Sequence, residues 1–205
     1  MANEIDRVVP PALPLAPEVY ERPYIDQSNS VLRLFFNRFT NVVNTLLSTD
    51  VGGKFLYNPC AAFYSTQDQT ASVVNTGYAV TFNNTSYTST VTLSNNSRIN
   101  VQNSGVYKFD VTLQLEHNNS SETPVTVWEQ KNGSPIAYSA HKFDVKGNDD
   151  YVVHWGFTVS LTANDYIEVY WATGDTQLNL HTATASSPHP GIPSASIDIS
   201  FVSNV

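Results

Sequence analysis

The residues able to do chemistry are few. Five histidines, His117, His141, His154, His181 and His189, fall on separate predicted strands or turns without metal-ligand spacing. His154 alternates with Val153 and Trp155 in the run Tyr151-Val-Val-His-Trp155, which predicts an outward-facing strand position. A single cysteine, Cys60, allows no internal disulfide and no cysteine-based metal site. Its surroundings, Tyr57-Asn-Pro-Cys-Ala-Ala62, supply no base to activate a thiol, so it reads as a small buried apolar residue. No Gly-x-Ser-x-Gly, phosphate loop or paired-carboxylate signature is present, although a glycosidase-type pair would leave no fixed spacing to find. Asp149-Asp150, after Gly147-Asn148, clusters hard oxygen ligands of the kind calcium takes, but the spacing is not that of an EF-hand loop and predicts a solvated turn. Asn83-Asn-Thr85 and Asn119-Ser-Ser121 read as polar turns. The expectation is a protein that is not an enzyme and has no catalytic, cofactor-binding or metal residues.

The elements that would carry these residues are strands. In 105–115 the side chains of Tyr107, Phe109, Val111, Leu113 and Leu115 alternate with Lys108, Asp110, Thr112 and Gln114, as a pleated strand with one buried face requires. The period recurs in Val153, Trp155, Phe157, Val159 and Leu161, in Ile167, Val169 and Trp171, and in Ile197, Ile199 and Phe201. Asn-Asn, Asn-Gly, Gly-Asn and Gly-Asp pairs separate the runs, so the chain beyond Phe63 predicts an antiparallel sandwich or barrel.

Composition narrows the function. With 205 residues, 41% hydrophobic and only 14% charged, the chain can build one good core, its polar surface coming from Asn, Ser and Thr. The formal charge of −8 is concentrated after residue 60, where five Lys and Arg face twelve Asp and Glu. That balance argues against nucleic acid, whose phosphates need clustered cations. No stretch approaches the ~20 apolar residues of a membrane span, and the N-terminus lacks a basic region followed by an apolar core, so a soluble cytosolic product is expected.

The first 60 residues differ in character. From Val8 to Tyr24, Pro10, Pro11, Pro14, Pro17 and Pro23 are interspersed with Leu13, Leu15, Val19, Tyr20 and Tyr24, which predicts an extended arm lying along another surface. From Ser28 to Leu47 the sequence predicts a helix, capped by Asp26 or Ser28 and ended by Gly52-Gly53 after Thr49. Leu32, Phe35, Phe39, Val42 and Leu46 follow steps of three and four, an a/d seam flanked by Val31, Phe36, Val43 and Leu47. At about five turns the helix is too short to stand alone in water. It must pack on its own β domain or join symmetry mates in a three-helix bundle, with Arg33 and Arg38 toward the rim. The expected organisation is an arm over 1–27, a helix and linker over 28–54, and a β domain over 55–205.

Gly105-Val-Tyr-Lys-Phe109, Val127-Trp-Glu-Gln-Lys-Asn-Gly133 and Leu161-Thr-Ala-Asn-Asp-Tyr-Ile-Glu-Val-Tyr170 resemble the strand motifs of the C1q/TNF-like jelly roll, with Asn164-Asp165 where the family usually has Gly-Asp. The closing segment Pro188-His-Pro-Gly-Ile-Pro-Ser-Ala-Ser-Ile-Asp-Ile-Ser200 resembles the β domains of tailed-phage virion proteins, those of cyanophages in particular. Leu15-Ala-Pro-Glu-Val-Tyr20, Tyr24-Ile-Asp-Gln27 and Leu32-Arg-Leu-Phe-Phe-Asn-Arg38 are similar to their N-terminal segments. The resemblance implies a mainly β, antiparallel jelly-roll sandwich and a homotrimeric component of a bacteriophage virion, assembled in the host cytoplasm. Its partners would be other virion structural proteins of tail or capsid. Tail or tail-fibre attachment is the expected place; a head decoration protein and an adhesin for a host surface glycan are the alternatives. The residues expected to carry assembly are Leu13, Leu15, Tyr20, Tyr24, Leu32, Phe35, Phe39, Val42 and Leu46. Tyr107, Trp128, Tyr138, Trp155, Tyr170 and Trp171 are candidates either for the threefold face or for ordinary core.

Overall fold

The computed structural model describes residues 11–13, 15, 17–47 and 58–204. Val8, Pro10, Pro14, Thr49, the Gly52-Gly53 stop and the expected boundary at residue 55 lie outside them. The chain divides into two compact units, Met1–Tyr57 and Asn58–Val205.

Among its described residues the first unit holds one helix, α1 (Arg22–Leu47), of 26 residues. It begins six residues before the expected Ser28, and Tyr24 therefore belongs to the helix and not to the arm. Pro23 explains the difference. A proline in the first turn forfeits only an N–H that has no helical partner there, and its fixed φ suits the helix. Asp26 is consequently not a cap; it pairs with Arg22 one turn earlier at 3.8 Å. Before the helix, Leu13, Leu15, Val19 and Tyr20 are exposed, Leu15 being 95% accessible, and the chain bends at Glu18 and Val19.

The second unit contains fourteen strands: β1 (Cys60–Ser65), β2 (Gln69–Thr70), β3 (Tyr78–Ala79), β4 (Asn84–Ser89), β5 (Val91–Ser94), β6 (Arg98–Val101), β7 (Gly105–His117), β8 (Thr123–Lys131), β9 (Ser134–Pro135), β10 (His141–Val145), β11 (Asp149–Leu161), β12 (Tyr166–Thr173), β13 (Leu178–Leu180) and β14 (Ala195–Ser203). One antiparallel sheet runs β2-β13-β7-β14-β1-β4, with β11 along the opposite flank of β7. The other runs β10-β8-β12-β6-β5, with β3 on β12 and β9 on β8.

The core lies between the sheets. Tyr107, Phe109, Val111, Leu113 and Leu115 of β7 are fully buried and meet Ile197, Ile199 and Phe201 of β14 and Val125, Val127, Ile167, Val169 and Trp171 of the facing sheet. Gly105 opens β7 because Phe201 packs where a side chain would begin: a Cβ there would stand 2.2 Å from the Phe201 ring. Asn132 and Gly133 both have positive φ, 52° and 78°, the backbone a tight hairpin turn demands. Asn164, at φ 74°, takes the left-handed conformation that asparagine tolerates better than most residues.

Candidate assembly surface

In α1, Leu32, Phe35 and Val42 are half-buried, while Phe39 and Leu46 are exposed, and none of the described helical residues is fully buried. Phe35 stacks on Phe39 at 6.2 Å and meets Phe36 edge-on at 5.5 Å, so three aromatic rings cluster on one side of the helix. Tyr24 and Ser28 are also half-buried and continue the row from Leu32 toward the N-terminus in steps of four, past the start that the periodicity indicates. Leu13, Leu15 and Tyr20 are exposed along the preceding segment.

In the β unit, two of the six aromatic candidates are core. Tyr107 and Trp171 are buried and unavailable to an interface, because both occupy inward positions of central strands. Burial pushes the Tyr107 hydroxyl up to about 12, and it donates to the Asn103 carbonyl at 2.8 Å. Trp128 and Tyr170 pack against each other, half-buried, on the outer face of the second sheet. Trp155 is half-buried and donates from Nε1 to Glu129 Oε1 at 2.7 Å across the two sheets. Tyr138 is fully exposed.

Strand β11 is the feature that periodicity did not single out as an open edge. It pairs with β7 over all thirteen of its residues, and among the described residues no strand pairs with its other side. Its run Tyr151–Leu161 contains no Asp, Glu, Lys, Arg or Pro. Natural sheets blunt free edges with such residues; here Asp149 and Asp150 at the start of the strand are the charged ones, and the eleven residues after them have none. Val153, Trp155, Phe157 and Val159 face the core side yet are only half-buried, and Val152 on the other face is exposed. The absence of charge in that run was the available signal.

Among the described residues, the histidines and Cys60 stand in separate places. His154 is exposed and hydrogen-bonds Thr112 Oγ1 at 3.0 Å, but no carboxylate holds the ring. His117 is buried between the Lys146 carbonyl at 3.2 Å and Asp175 at 3.3 Å, beyond what spacing revealed. His181 lies 3.1 Å from Asp68. Cys60 is half-buried, not buried as its context suggested, because it sits on the outward-facing row of β1. Asp149 and Asp150 begin β11 instead of forming a turn of their own, and with Glu116, Asn118 and Asn148 they line an open polar recess. Among the described residues no three His, Cys, Asp or Glu are grouped to hold a metal ion.

Two carboxylates are anchored. Burial alone would raise the Asp165 pKa, but hydrogen bonds from Lys131, Asn132 and the Thr162 N–H outweigh it and hold the carboxyl below the usual range. The Gln177 N–H, then Asn119 and His117, lower that of Asp175.

No family model matches the sequence, and no curated protein does. Among solved structures, the chain is similar to murine APRIL at pH 5.0, with a TM-score of 0.48 at 11% identity over 71% of this chain and 99% of that one. It is also similar to the globular domain of zebrafish complement 1qA protein, with a TM-score of 0.47 at 14% identity over 72% and 99%. The fold is mainly β, two antiparallel sheets facing each other across one core. In this sandwich β11 and β10 stand at one side of the two sheets, and the half-covered apolar row lies between them, where Phe143 stacks on Tyr151 at 5.8 Å.

Proposed function

We propose that this chain is a non-enzymatic structural component of a bacteriophage virion, a homotrimer that docks through its N-terminal arm and helix, at the tail or tail-fibre attachment. The observation that carries the assembly reading is α1: a 26-residue helix with an aromatic seam and no fully buried side chain among its described residues. Exposing Phe36, Phe39, Leu46 and Leu47 to water forfeits roughly 25 cal/mol for each Å² of apolar surface that a partner would cover. The exposed Leu13, Leu15, Val19 and Tyr20 before it ask for the same cover. The edge β11, uncharged from Tyr151 to Leu161, supports self-association of the β unit, since a heterologous contact around a closed ring would shield one such edge per copy. The virion setting rests on the resemblance of the N-terminal and closing segments to phage proteins.

Light scattering coupled to size exclusion tests the oligomer, comparing the full chain with one starting at Asn58. A trimeric mass supports the reading, and a monomer at micromolar concentration in both refutes the preformed trimer. Labelling purified particles of the phage with an antibody to residues 58–204 tests the setting. Particles that remain unlabelled while the free protein is detected would remove the virion reading.

A further inference from the structure

We infer that the hollow between Tyr64 and the hairpin joining β13 to β14 is a binding site for one neutral pyranose ring. The inference is independent of the trimer and gives the β unit a ligand of its own.

The hollow is built before any ligand arrives. After β13 the chain doubles back, with Ala183 and Ile192 exchanging backbone hydrogen bonds at 3.0 and 2.8 Å and Ser186 and His189 doing so at 3.1 and 2.7 Å. Together with Tyr64 of β1 this hairpin encloses a volume of about 370 Å³, at the low end of small-molecule sites and enough for one ring with its substituents. Three further bonds hold the frame. The Thr182 N–H donates to Asp68 Oδ1 at 2.7 Å, the Thr182 hydroxyl to the Ile192 carbonyl at 2.7 Å, and the Ser194 hydroxyl to the Gln67 carbonyl at 2.6 Å. A site fixed in this way loses little to ordering when it is filled. Tyr64, Thr182 and Pro193 are half-buried, while Thr66, Thr184 and Ile192 are exposed, so the mouth is open to water.

The lining selects the ligand's chemistry. It holds no charged side chain, so an ion entering it would give up water without gaining a counter-charge. Its hydroxyls fall into different hydrogen-bonding roles. Thr182 has given its proton to the Ile192 carbonyl and offers a ligand only lone pairs. Thr66 Oγ1 accepts from Asn83 Nδ2 at 3.0 Å and Asn84 Nδ2 at 3.2 Å, while its own proton has only Asn83 Oδ1 at 3.5 Å, so Thr66 is a donor in waiting. The hydroxyls of Tyr64 and Thr184 have no partner among the described residues and serve either way. A ligand must therefore donate and accept at several points around one compact ring. Carbonyls and ethers only accept and ammonium groups only donate, whereas hydroxyls do both. The ligand must also turn apolar C–H surface toward Tyr64, Ile192 and Pro193. A neutral pyranose meets both demands, with hydroxyls around its rim and C–H groups on its faces.

The test uses the full chain, titrated to tens of millimolar with the methyl pyranosides of glucose, galactose, mannose and N-acetylglucosamine while amide chemical shifts are followed. At least one of the four should move the amides of Thr66, Thr182, Ala183, Thr184 and Ile192. Thr184→Val keeps the shape of the side chain and loses its hydroxyl, so it should weaken that binding about fivefold, the worth of one hydrogen bond. Thr184→Tyr, which fills the mouth, should abolish it, and near-UV circular dichroism should show both variants folded as the parent is. Shifts of the same amides by cyclohexanol, at concentrations as low as the sugar needs, would mean an apolar hollow in which the hydroxyls select nothing. Tighter binding of glucosamine or glucuronate would mean a charged ligand. Either result, or four sugars that leave those amides unmoved, would overturn the inference.

Discussion

At single positions, the structure turns on backbone room and on a few anchored charges. Gly105 is required by proximity to Phe201 and not by an unusual φ, so Gly105→Ala should cost about 1–3 kcal/mol in urea unfolding by forcing the ring aside. Asp165 and Asp175 have lowered pKa values when folded, so the folded state binds fewer protons than the unfolded chain. Their stabilisation is complete above the ordinary carboxyl pKa near 4 and is lost as pH falls through the lowered folded values. A urea series between about pH 5 and pH 2 should show this decline, and Asp165→Asn should flatten it. Tyr107 works the other way: its stabilisation is present below pH ~10 and fades as pH rises toward 12. Neither the direction at Asp165 nor the His117–Asp175 contact could be read from the sequence, because both depend on groups brought together from distant strands. Asn132, Gly133 and Asn164 could be read, since the demand for positive φ is local.

Elements were readable wherever one face is buried and the other wet. The alternation of β7, β12 and β14 marks their inward rows because the pleat puts every second residue in the core. Periodicity could not mark β11 as an edge, since edge position is a property of pairing between distant segments. Its uncharged run was in view but had no meaning until the topology exposed its open side. Likewise the α1 seam was evident in Leu32, Phe35, Phe39, Val42 and Leu46, while its N-terminal turns were hidden by Pro23, which reads as arm unless first-turn tolerance is considered. Two substitutions separate the contributions of helix and sheet. Phe35→Asp with Phe39→Asp should dissociate the oligomer while the near-UV circular dichroism of the β unit stays unchanged; a trimeric double variant would mean the helix supplies no seam. Val152→Lys places a charge on an exposed outer position of β11, where it should leave stability within about 0.5 kcal/mol. It should weaken association if that edge is covered in the trimer, as sedimentation equilibrium would reveal.

For the whole molecule, low charge density and uneven charge placement pull against each other. Only 14% of residues are charged, yet the net charge is −8, and nearly all of the excess lies after residue 60. In the proposed trimer, bringing three such chains together costs Coulomb energy that the helix seam and the apolar run of the β11 edge must offset. That opposition predicts a salt dependence of definite sign. Raising ionic strength from ~0.01 to ~0.15 M shortens the Debye length from about 30 to about 8 Å and screens the repulsion between protomers, so the trimer should tighten. An interface built on ion pairs between protomers would loosen instead. Sedimentation equilibrium of the full chain at the two ionic strengths distinguishes them, and tighter association at the higher salt is expected. Weaker association there would place charged groups in the contact and count against the apolar surfaces described above as the means of assembly.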